Sequence, residues 1–234
     1  MEGFLEEEHR GSVGDLRATI ALDGGQRVVN TVHVIASPDD SADTRARLLR
    51  FAREVYLEGG ASHFALREVA RRVGISAPAV YRHFDSKEAL LGAVCEEGFR
   101  TFSSYLLRSL SAPTPLERLR STGDYYLRFA LENAHDYRVI FMTDVTALSG
   151  AATKVSPRET SPTFHFLVDR VRECIAARDL AKGDPIDMAA TIWAHVHGLA
   201  SLRLSGHLAS VGDDKTFATF FRRSTDHLLA GFAP

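Results

Sequence analysis

Several polar side chains that can bind nucleic acid lie close together in the stretch VGISAPAVYRHFDSKEALL, residues 73–91. Tyr81, Arg82, His83 and Lys87 each carry a hydrogen-bond donor, and such donors contact phosphate oxygens and the edges of bases. A tight turn between packed helices would explain the same residues. The stretch therefore predicts either an ordinary turn or a surface that contacts DNA.

The residues in front of this cluster are small, which suits entry into a groove. Ser76, Ala77, Pro78 and Ala79 would open a short helix, with Pro78 in the first turn, where a missing N–H costs little. Small leading side chains allow a helix to approach the floor of the major groove. We expect Ala77 and Ala79 to contact thymine methyl groups, and Ser76 to cap the helix or to hydrogen-bond with a base.

Lys87 stands at the predicted start of the next helix, where the helix dipole and free N–H groups already favour an anion. A lysine weakens a helix slightly at this position, which is understandable if a phosphate binds there. An ordinary solvated lysine in a capping turn is the alternative. Arg67, Arg71 and Arg72 raise the same choice between a solvated helix face and a face that meets phosphate.

The elements that must position these side chains have helical patterns. Apolar residues follow a helical stripe from Ala42, with Asp43 as the predicted N-cap, and the stripe stops at Gly59–Gly60. Residues 66–73 continue with apolar residues at helical spacing. Gly74 then ends this second helix as a left-handed C-terminal residue would.

A third, short helix follows the glycine turn and ends by Phe84. Val80 and Phe84 are four residues apart and should both face inward. Asp85 and Glu88 have the spacing of a capping box for a fourth helix, which is predicted to reach about Phe102. A helix, a turn with glycine and a second short helix form a helix-turn-helix, which presents its second helix to the major groove.

The remainder of the chain is also helical by pattern, and no convincing strand alternation follows residue 42, so the predicted fold class is all-α. Further helices are predicted at 116–133, 135–142, 162–179, 185–209 and 213–231, and the composition of 146–162 predicts a loop. Residues 1–40 leave three interpretations open: a short hairpin, a flexible arm, or a segment ahead of the native start.

Composition narrows the functional classes. The chain has 234 residues and a net charge of -2, so any basic surface must be local. Two cysteines, Cys95 and Cys174, allow no disulfide framework, which favours a reducing cytoplasm. No apolar run approaches the roughly 18 residues of a membrane span. The acidic start MEGFLEEEHR lacks the basic and apolar parts of a signal peptide.

Residues 44–99 resemble the DNA-binding domain of TetR-family transcriptional regulators. The matching pieces are LLRFAREVYLEGG, LREVARRVGIS and, most specifically, AVYRHFDSKEALL. One departure is visible: the family often has Ser or Thr just before the second helix, whereas this chain has Ala65 there, after His63 and Phe64. This chain therefore lacks the hydroxyl of one phosphate contact that the resemblance implies, and His63 is the candidate to replace it.

The resemblance implies roles for individual residues. Tyr81 and Lys87 are expected to contact phosphates, with Arg67 as a further candidate. The expected groove-facing set comprises Ser76, Ala77, Pro78, Ala79, Arg82 and His83. Arg82 is the expected base reader, because a bidentate arginine–guanine pair contributes about 1–3 kcal/mol of discrimination. The implied organisation is an extension at 1–40, a DNA-binding domain at 41–102, and an effector-binding and dimerisation domain at 103–234.

The last two helices are suited to forming a homodimer, since operators are usually bound by two-fold dimers. Their apolar residues at helical spacing either close the subunit's own core or meet the partner, and the resemblance supports the dimer. These residues are Ile186, Ala189, Ala190, Trp193, His197, Ala200 and Leu204 in the first helix, and Phe217, Phe220, Phe221, Leu228 and Leu229 in the second.

Trp193, His197 and Gly198 also resemble a C-terminal class of the family marked by Trp-x-x-x-His-Gly. His195 and His197 invite a metal interpretation, but their i, i+2 spacing puts them on nearly opposite sides of a helix. We expect no metal site and no cofactor.

Aromatic residues between the two ends of the chain predict either core packing or an effector cavity within a helical bundle. The resemblance implies the cavity, and the polar tips of Tyr125, Tyr126, His165 and His197 would orient a mostly apolar ligand. Tyr137, Met142 and Phe164 belong to the same aromatic and apolar group. The predicted effector-binding residues are Tyr125, Tyr126, Phe129, Phe141, Phe166, Trp193 and His197.

The function expected from these features is a ligand-responsive transcriptional regulator, a repressor that binds a palindromic operator as a homodimer. The alternative is a DNA-binding protein with no small-molecule effector, or a helical module that has lost DNA binding. The sequence contains no GxSxG, HExxH, P-loop or Rossmann glycine pattern, so an enzyme is not expected.

Overall fold

A computed structural model describes residues 38–142 and 161–234, and the regular secondary structure of these residues is helical, with no strand among them. The predicted all-α fold class is confirmed. The helices are α1 (Pro38–His63), α2 (Leu66–Val73), α3 (Ala77–Val80), α4 (Lys87–Leu107), α5 (Pro115–Glu132), α6 (Ala134–Phe141), α7 (Pro162–Ala177), α8 (Pro185–Leu204) and α9 (Asp214–Ala230). The predicted extension at 1–40 lies outside the described residues up to residue 37, and the predicted loop at 146–162 lies outside them up to residue 160.

Helix α1 begins earlier than the sequence predicts. It includes Pro38, so Asp43 lies inside the helix and the N-cap prediction for Asp43 is wrong. Proline suits a first helical turn because the N–H that it lacks would have no partner there. Asp43 instead pairs with Arg47 one turn later, at 3.9 Å between Oδ2 and Nη1. At the other end, Gly60 has a φ of 67° and breaks the helical path where the sequence predicts an end.

Gly74 forms the turn that separates α2 from α3. Its φ of 82° lies in the left-handed region, which glycine adopts without the strain that a Cβ would add. The N–H groups of Gly74 and Ile75 both donate to the carbonyl of Ala70, at 2.9 and 3.0 Å. Val73 and Val80, on either side of the turn, are buried in the core. The predicted helix-turn-helix arrangement is therefore present.

Two predicted side-chain caps do not form. Ser76 occupies the N-cap position of α3 with an extended backbone, but its side chain makes no capping bond. The capping box predicted from Asp85 and Glu88 is wrong, because Ser86 is the N-cap of α4. Its Oγ accepts a hydrogen bond from the N–H of Ala89 at 3.0 Å. Aspartate and serine are equally good caps, so the sequence alone did not separate these neighbours.

Helix α4 connects the helix-turn-helix to the rest of the molecule. It continues past the predicted end at Phe102 to Leu107. Near its N-terminus, Leu90 and Val94 are buried in the same core as α1 and α2. Further along, the Phe102 ring lies 5.0 Å from the ring of Phe129 in α5, measured between centroids. A displacement of α4 would therefore affect both the helix-turn-helix and the helices packed around Phe129.

The core consists of two clusters that share Trp193 at their border. The larger cluster has buried residues from every described helix except α7, from Leu48 in α1 to Phe221 in α9. The smaller cluster gathers one face of α7, including Val168 and Val171, against α5, α8 and α9. Within the described ranges, no helix is long and apolar enough to cross a bilayer.

Candidate DNA-binding surface and enclosed cavity

The exposed edge formed by α3 and the turn after it carries most of the side chains predicted to contact DNA. Tyr81 has 56% of its surface exposed, a large fraction for an aromatic residue. The inner side of the same segment is fixed by Val80 and Phe84, which are both buried in the core. The exposed members of the predicted set on this edge are Ser76, Pro78, Tyr81 and Arg82.

Ala79 does not belong to this edge. It is only 8% exposed, so its methyl group is not available for the predicted thymine contact. Ala77 is half-buried and packs against the core, which leaves part of its surface open. His83 is half-buried whereas its neighbour Arg82 is exposed. Of these two, the geometry favours Arg82 for contact with bases, and that role stays a prediction.

Lys87 lies in the first turn of α4, beside the capping residue Ser86. Its Nζ is 5.5 Å from the centroid of the Phe64 ring, so part of the lysine stem covers that aromatic residue. The first amide N–H groups of a helix have no partner within the helix and favour an anion nearby. The ammonium group and the amides of this turn could therefore bind the same phosphate.

The three arginines of α2 differ in their environments. Arg71 and Arg72 both donate to the carboxylate of Glu68 at 2.7–2.8 Å, and Arg72 also pairs with Glu58 at 2.6 Å. These hydrogen bonds lower the pKa of Glu68 to about 2. Arg67 is exposed and makes no ion pair within the part of the chain that the structure describes. Arg67 is therefore the arginine of α2 most available to a phosphate.

Ala65 occupies the N-cap position of α2 with an extended backbone and provides no side-chain cap. His63, the nearest polar side chain before it, is exposed, and its Nδ1 lies 2.9 Å from the carbonyl oxygen of Gly59. His63 is therefore the side chain that we expect to take the place of the missing hydroxyl at a phosphate.

A cavity of about 410 Å³ lies between the two core clusters. This volume is within the range of ligand sites in proteins. The described lining residues are Gly92, Cys95, Phe99, Phe102, Leu106, Leu119, Thr122, Gly123, Tyr126, Val139, Ile140, Phe141, Ser161, Thr163, Phe164, Leu167, Ile192, Trp193, Val196, His197, Thr225 and Leu229. Most of them are apolar, and they come from α4 to α9.

Of the seven residues predicted for an effector site, Tyr126, Phe141, Trp193 and His197 line this cavity. The other three lie elsewhere. Phe129 is fully buried in the larger cluster, Tyr125 packs beside the guanidinium of Arg128, and Phe166 lies under that of Arg170. Helix phase explains the split, because adjacent residues such as Tyr125 and Tyr126 point about 100° apart. Two further residues were expected near an effector: Phe164 lines the cavity, whereas His165 is exposed.

Sequence reasoning missed the part of the cavity that α4 contributes. Gly92, Cys95, Phe99, Phe102 and Leu106 follow one another at helical spacing and all face the cavity. The spacing is visible in the sequence as an apolar stripe, but a stripe of this kind does not show whether it faces a packed core or a cavity.

One end of the cavity is a network of hydrogen bonds around His197. The hydroxyl groups of Tyr126 and Tyr137 both lie 2.9 Å from His197 Nδ1. Tyr137 also reaches Ser201 Oγ at 3.0 Å and the backbone carbonyl of His197 at 3.3 Å. Burial lowers the pKa of His197 and raises the pKa of Tyr126 well above its usual value. All of these groups are therefore uncharged near neutral pH.

Arg53 connects α1, in the DNA-binding part of the chain, to α4 and α6 by ion pairs. It extends from α1 to Glu97 in α4, with 2.7 Å between Nη2 and Oε2, and to Asp136 in α6, with 2.7 Å between Nε and Oδ1. The Arg53–Asp136 contact is close but poorly aligned for a hydrogen bond. Charge attraction does not need that alignment, so we treat it as an ion pair. Burial raises the pKa of Asp136, Arg53 opposes the shift, and Glu97 adds to it.

His195 and His197 diverge within α8, as their spacing predicts. His195 Nε2 lies 3.3 Å from Ser224 Oγ in α9, whereas His197 faces the cavity. Among residues 38–142 and 161–234, no three His, Cys, Asp or Glu side chains are grouped so that they could hold a metal ion.

Two family models match this chain. Residues 48–94 match a model described as bacterial regulatory proteins of the tetR family. Residues 119–228 match a model described as a tetracyclin repressor-like C-terminal domain. The first match contains the helix-turn-helix, and the second contains most of the helices that enclose the cavity.

Curated relatives agree with these models. The chain is 31% identical over 114 residues to the HTH-type transcriptional activator FasR of Mycolicibacterium smegmatis, covering 48% of this chain and 52% of FasR. It is 29% identical over 143 residues to the HTH-type transcriptional repressor KstR2 of the same species, covering 58% of this chain and 62% of KstR2. The matched part thus spans about half to three fifths of these relatives.

Solved structures share the fold over more of the chain. A protein of unknown function from Rhodococcus sp. RHA1 is 26% identical with a TM-score of 0.67, covering 82% of this chain and 96% of that one. A TetR-like transcriptional regulator from the same organism is 17% identical with a TM-score of 0.63, covering 81% of this chain and 97% of that one. The second likeness concerns the fold alone.

Proposed function

The chain belongs to the TetR family of bacterial transcriptional regulators, which are DNA-binding proteins rather than enzymes, and from this we propose a specific mode of action. The protein binds a palindromic operator as a homodimer and represses transcription. A small, mostly apolar effector enters the cavity and releases the DNA. Operator binding places the protein in the cytoplasm.

The observation that carries the DNA-binding part is the exposed edge of α3 and its following turn. Tyr81 and Arg82 are exposed there because Val80 and Phe84 hold the other side of the segment in the core. Lys87 begins the next helix directly after this edge. In the proposal, Tyr81 and Lys87 fix the position on phosphates while Arg82 reads a base. Arg67, Ser76, Ala77, Pro78 and His83 contribute at the border.

The homodimer is supported by the outer face of α8. Ala194, Gly198 and Leu202 follow at intervals of one turn, and Leu202 is 42% exposed. A Cβ built on Gly198 meets nothing within 4 Å, so the surface there is open to a close neighbour. Much of the predicted apolar stripe faces the subunit's own core instead, including Phe217 and Phe221. Membership of the Trp-x-x-x-His-Gly class stays a prediction.

Effector control is supported by the position of α4. Its first turns, with Leu90 and Val94, pack in the core below the helix-turn-helix, and its next turns line the cavity through Cys95 and Phe99. A ligand that favours a shifted α4 would change the spacing of the two recognition helices in a dimer. About 1.4 kcal/mol of preference for that state suffices for a tenfold change in operator affinity.

Replacing Lys87 with alanine tests the proposed phosphate contact. We expect weaker binding to specific and random duplex DNA alike, because a phosphate contact does not depend on sequence. The plot of log affinity against log salt should flatten by about one unit, since about one fewer counterion is released. Lys182→Ala is the matched control, because Lys182 is exposed between α7 and α8, away from α3. A slope that is unchanged in Lys87→Ala, or equally reduced in both variants, would contradict the contact.

A further inference from the structure

The described residues at the polar end of the cavity carry hydrogen-bonding groups but no charge. Within the described lining residues there is no Asp, Glu, Lys or Arg. The titratable side chains among them are Cys95, Tyr126 and His197. Burial raises the pKa of Cys95 to about 11, raises that of Tyr126 and lowers that of His197, so all three are neutral near pH 7. An anion placed at this end would find no positively charged side chain among the described lining residues.

The hydrogen-bond network leaves one hydroxyl group that can turn to a ligand. His197 Nδ1 can form a full hydrogen bond with only one of the two tyrosine hydroxyls at 2.9 Å, whichever ring nitrogen holds the proton. Tyr137 has Ser201 Oγ and the His197 carbonyl within reach as further partners. The Tyr126 hydroxyl also has Tyr137 and Trp193 as hydrogen-bonding neighbours. Because Tyr126 lies on the cavity side, its bond to His197 is the one that we expect a ligand to replace.

The cavity wall next to these hydrogen-bonding groups is aromatic. Phe141 and Trp193 both line the cavity, and each has its ring centroid 5.7 Å from that of His197. An apolar ligand body would pack against these rings, and an oxygen atom at its end would then reach the hydroxyl of Tyr126. Such a combination of apolar walls with a few convergent polar groups is what fixes the orientation of a ligand in a pocket.

We propose that the ligand of this cavity presents an uncharged oxygen to Tyr126, either the carbonyl of a ketone or ester or the hydroxyl of an alcohol, and that an ionised carboxylate is disfavoured there. This inference rests on the effector role proposed above and adds the chemical class of the effector. The physical reason is the desolvation of the anion. Burying a carboxylate without a cation is far more costly than burying a neutral oxygen that makes one hydrogen bond.

The ligand class can be tested by fluorescence, because Trp193 is the only tryptophan of the chain and lines the cavity. The full chain is titrated near pH 8 with 2-decanone, 1-decanol and decanoate while Trp193 emission is recorded. We expect both neutral compounds to bind at least about tenfold more tightly than decanoate. Tyr126→Phe should weaken ketone and alcohol binding about fivefold, the effect of one neutral hydrogen bond. Tyr125→Phe is the matched control and should leave binding unchanged, since Tyr125 lies outside the described lining.

Three results would overturn the inference: decanoate binding as tightly as the ketone, neutral-ligand binding that is unaffected by Tyr126→Phe, or no change in emission with any of the compounds. Operator affinity measured in the same samples separates this inference from the proposed function. A ketone that binds through Tyr126 but leaves operator affinity unchanged would support the ligand class and contradict effector control.

Discussion

Replacing Arg53 with methionine is expected to lower the free energy of unfolding by no more than about 3 kcal/mol, the low end of the range for removing one member of a buried ion pair, because the Arg53–Asp136 pair is only partly buried. Methionine keeps the apolar stem of Arg53 but leaves Asp136 without its cation. The Asp136 side chain is only 13% exposed, so water replaces the lost partner poorly. Urea denaturation with linear extrapolation gives the free-energy difference.

A matched control is available in Arg120→Met. Arg120 pairs with Asp226 at the same 2.7 Å, but both side chains are 48% exposed. Exposed pairs typically contribute no more than about 1 kcal/mol, so this variant should lose far less stability. Adding Asp136→Asn to Arg53→Met should recover part of the loss, because the neutral amide needs no cation. An equal loss in Arg53→Met and Arg120→Met would contradict a larger contribution from the partly buried Arg53–Asp136 pair.

The pH dependence of the Arg53→Met effect follows from the raised pKa of Asp136. A carboxyl group whose folded-state pKa lies above its unfolded value favours the folded state when protonated, and this contribution is lost as pH rises through the folded pKa. The protonated group needs no cation. Because Arg53 lowers the pKa of Asp136, its removal raises that pKa further. The stability difference between wild type and Arg53→Met should therefore shrink as pH falls through the raised pKa values of Asp136 in the two proteins.

Gly98→Ala is expected to lower operator affinity at least about tenfold in the absence of any effector, because it forces α4 and α6 apart. A Cβ on Gly98 would lie 2.7 Å from Ile140 Cγ2, closer than two carbon atoms can approach. Overpacking of this kind costs about 1–3 kcal/mol. The higher helix propensity of alanine offsets roughly 1 kcal/mol of this cost, so at the upper end of the range the net effect is unfavourable. Affinity is measured by fluorescence anisotropy with labelled operator DNA.

The close approach can be relieved from the other side. Ile140→Leu removes Cγ2 while it conserves side-chain volume, so it should restore much of the operator affinity in the Gly98→Ala background. Gly92→Ala, in the same helix, is the control: its Cβ would meet nothing within 4 Å, and it should stabilise α4 by about 0.5–1 kcal/mol. If Gly98→Ala bound the operator as well as wild type, the spacing of α4 and α6 would not control DNA binding.

The sequence predicted the helices well because each buries one apolar stripe, and such a stripe is visible without knowledge of the partner helix. The breaks at Gly60 and Gly74 were equally predictable, since both residues have positive φ angles that glycine tolerates best. The capping residues at helix starts were not predictable. Asp43 looks like a cap but lies inside a helix that begins at Pro38, and Ser86 replaced its equally suitable neighbour Asp85.

The candidate sites were likewise predictable only where a local sequence pattern determines them. Exposure of Tyr81 and Arg82 followed from the inward pair Val80 and Phe84. The His197 network was beyond sequence reasoning, because Tyr126 and Tyr137 reach His197 from 71 and 60 residues away. Such pairing depends on how three helices pack. Which of two adjacent aromatics faces a cavity depends on helix rotation by a fraction of a turn, and composition does not record it.

The most direct test of the proposed function is selection of binding sites from a random pool of DNA duplexes with the full-length protein, followed by footprinting of the selected sites. We expect an inverted repeat whose half-sites lie one helical turn, about 10 base pairs, or a multiple of it apart. We also expect Arg82→Ala to lose the preference at one position of each half-site. Failure to enrich any sequence, or enrichment of a site without two-fold symmetry, would contradict the proposal of a homodimeric operator-binding regulator.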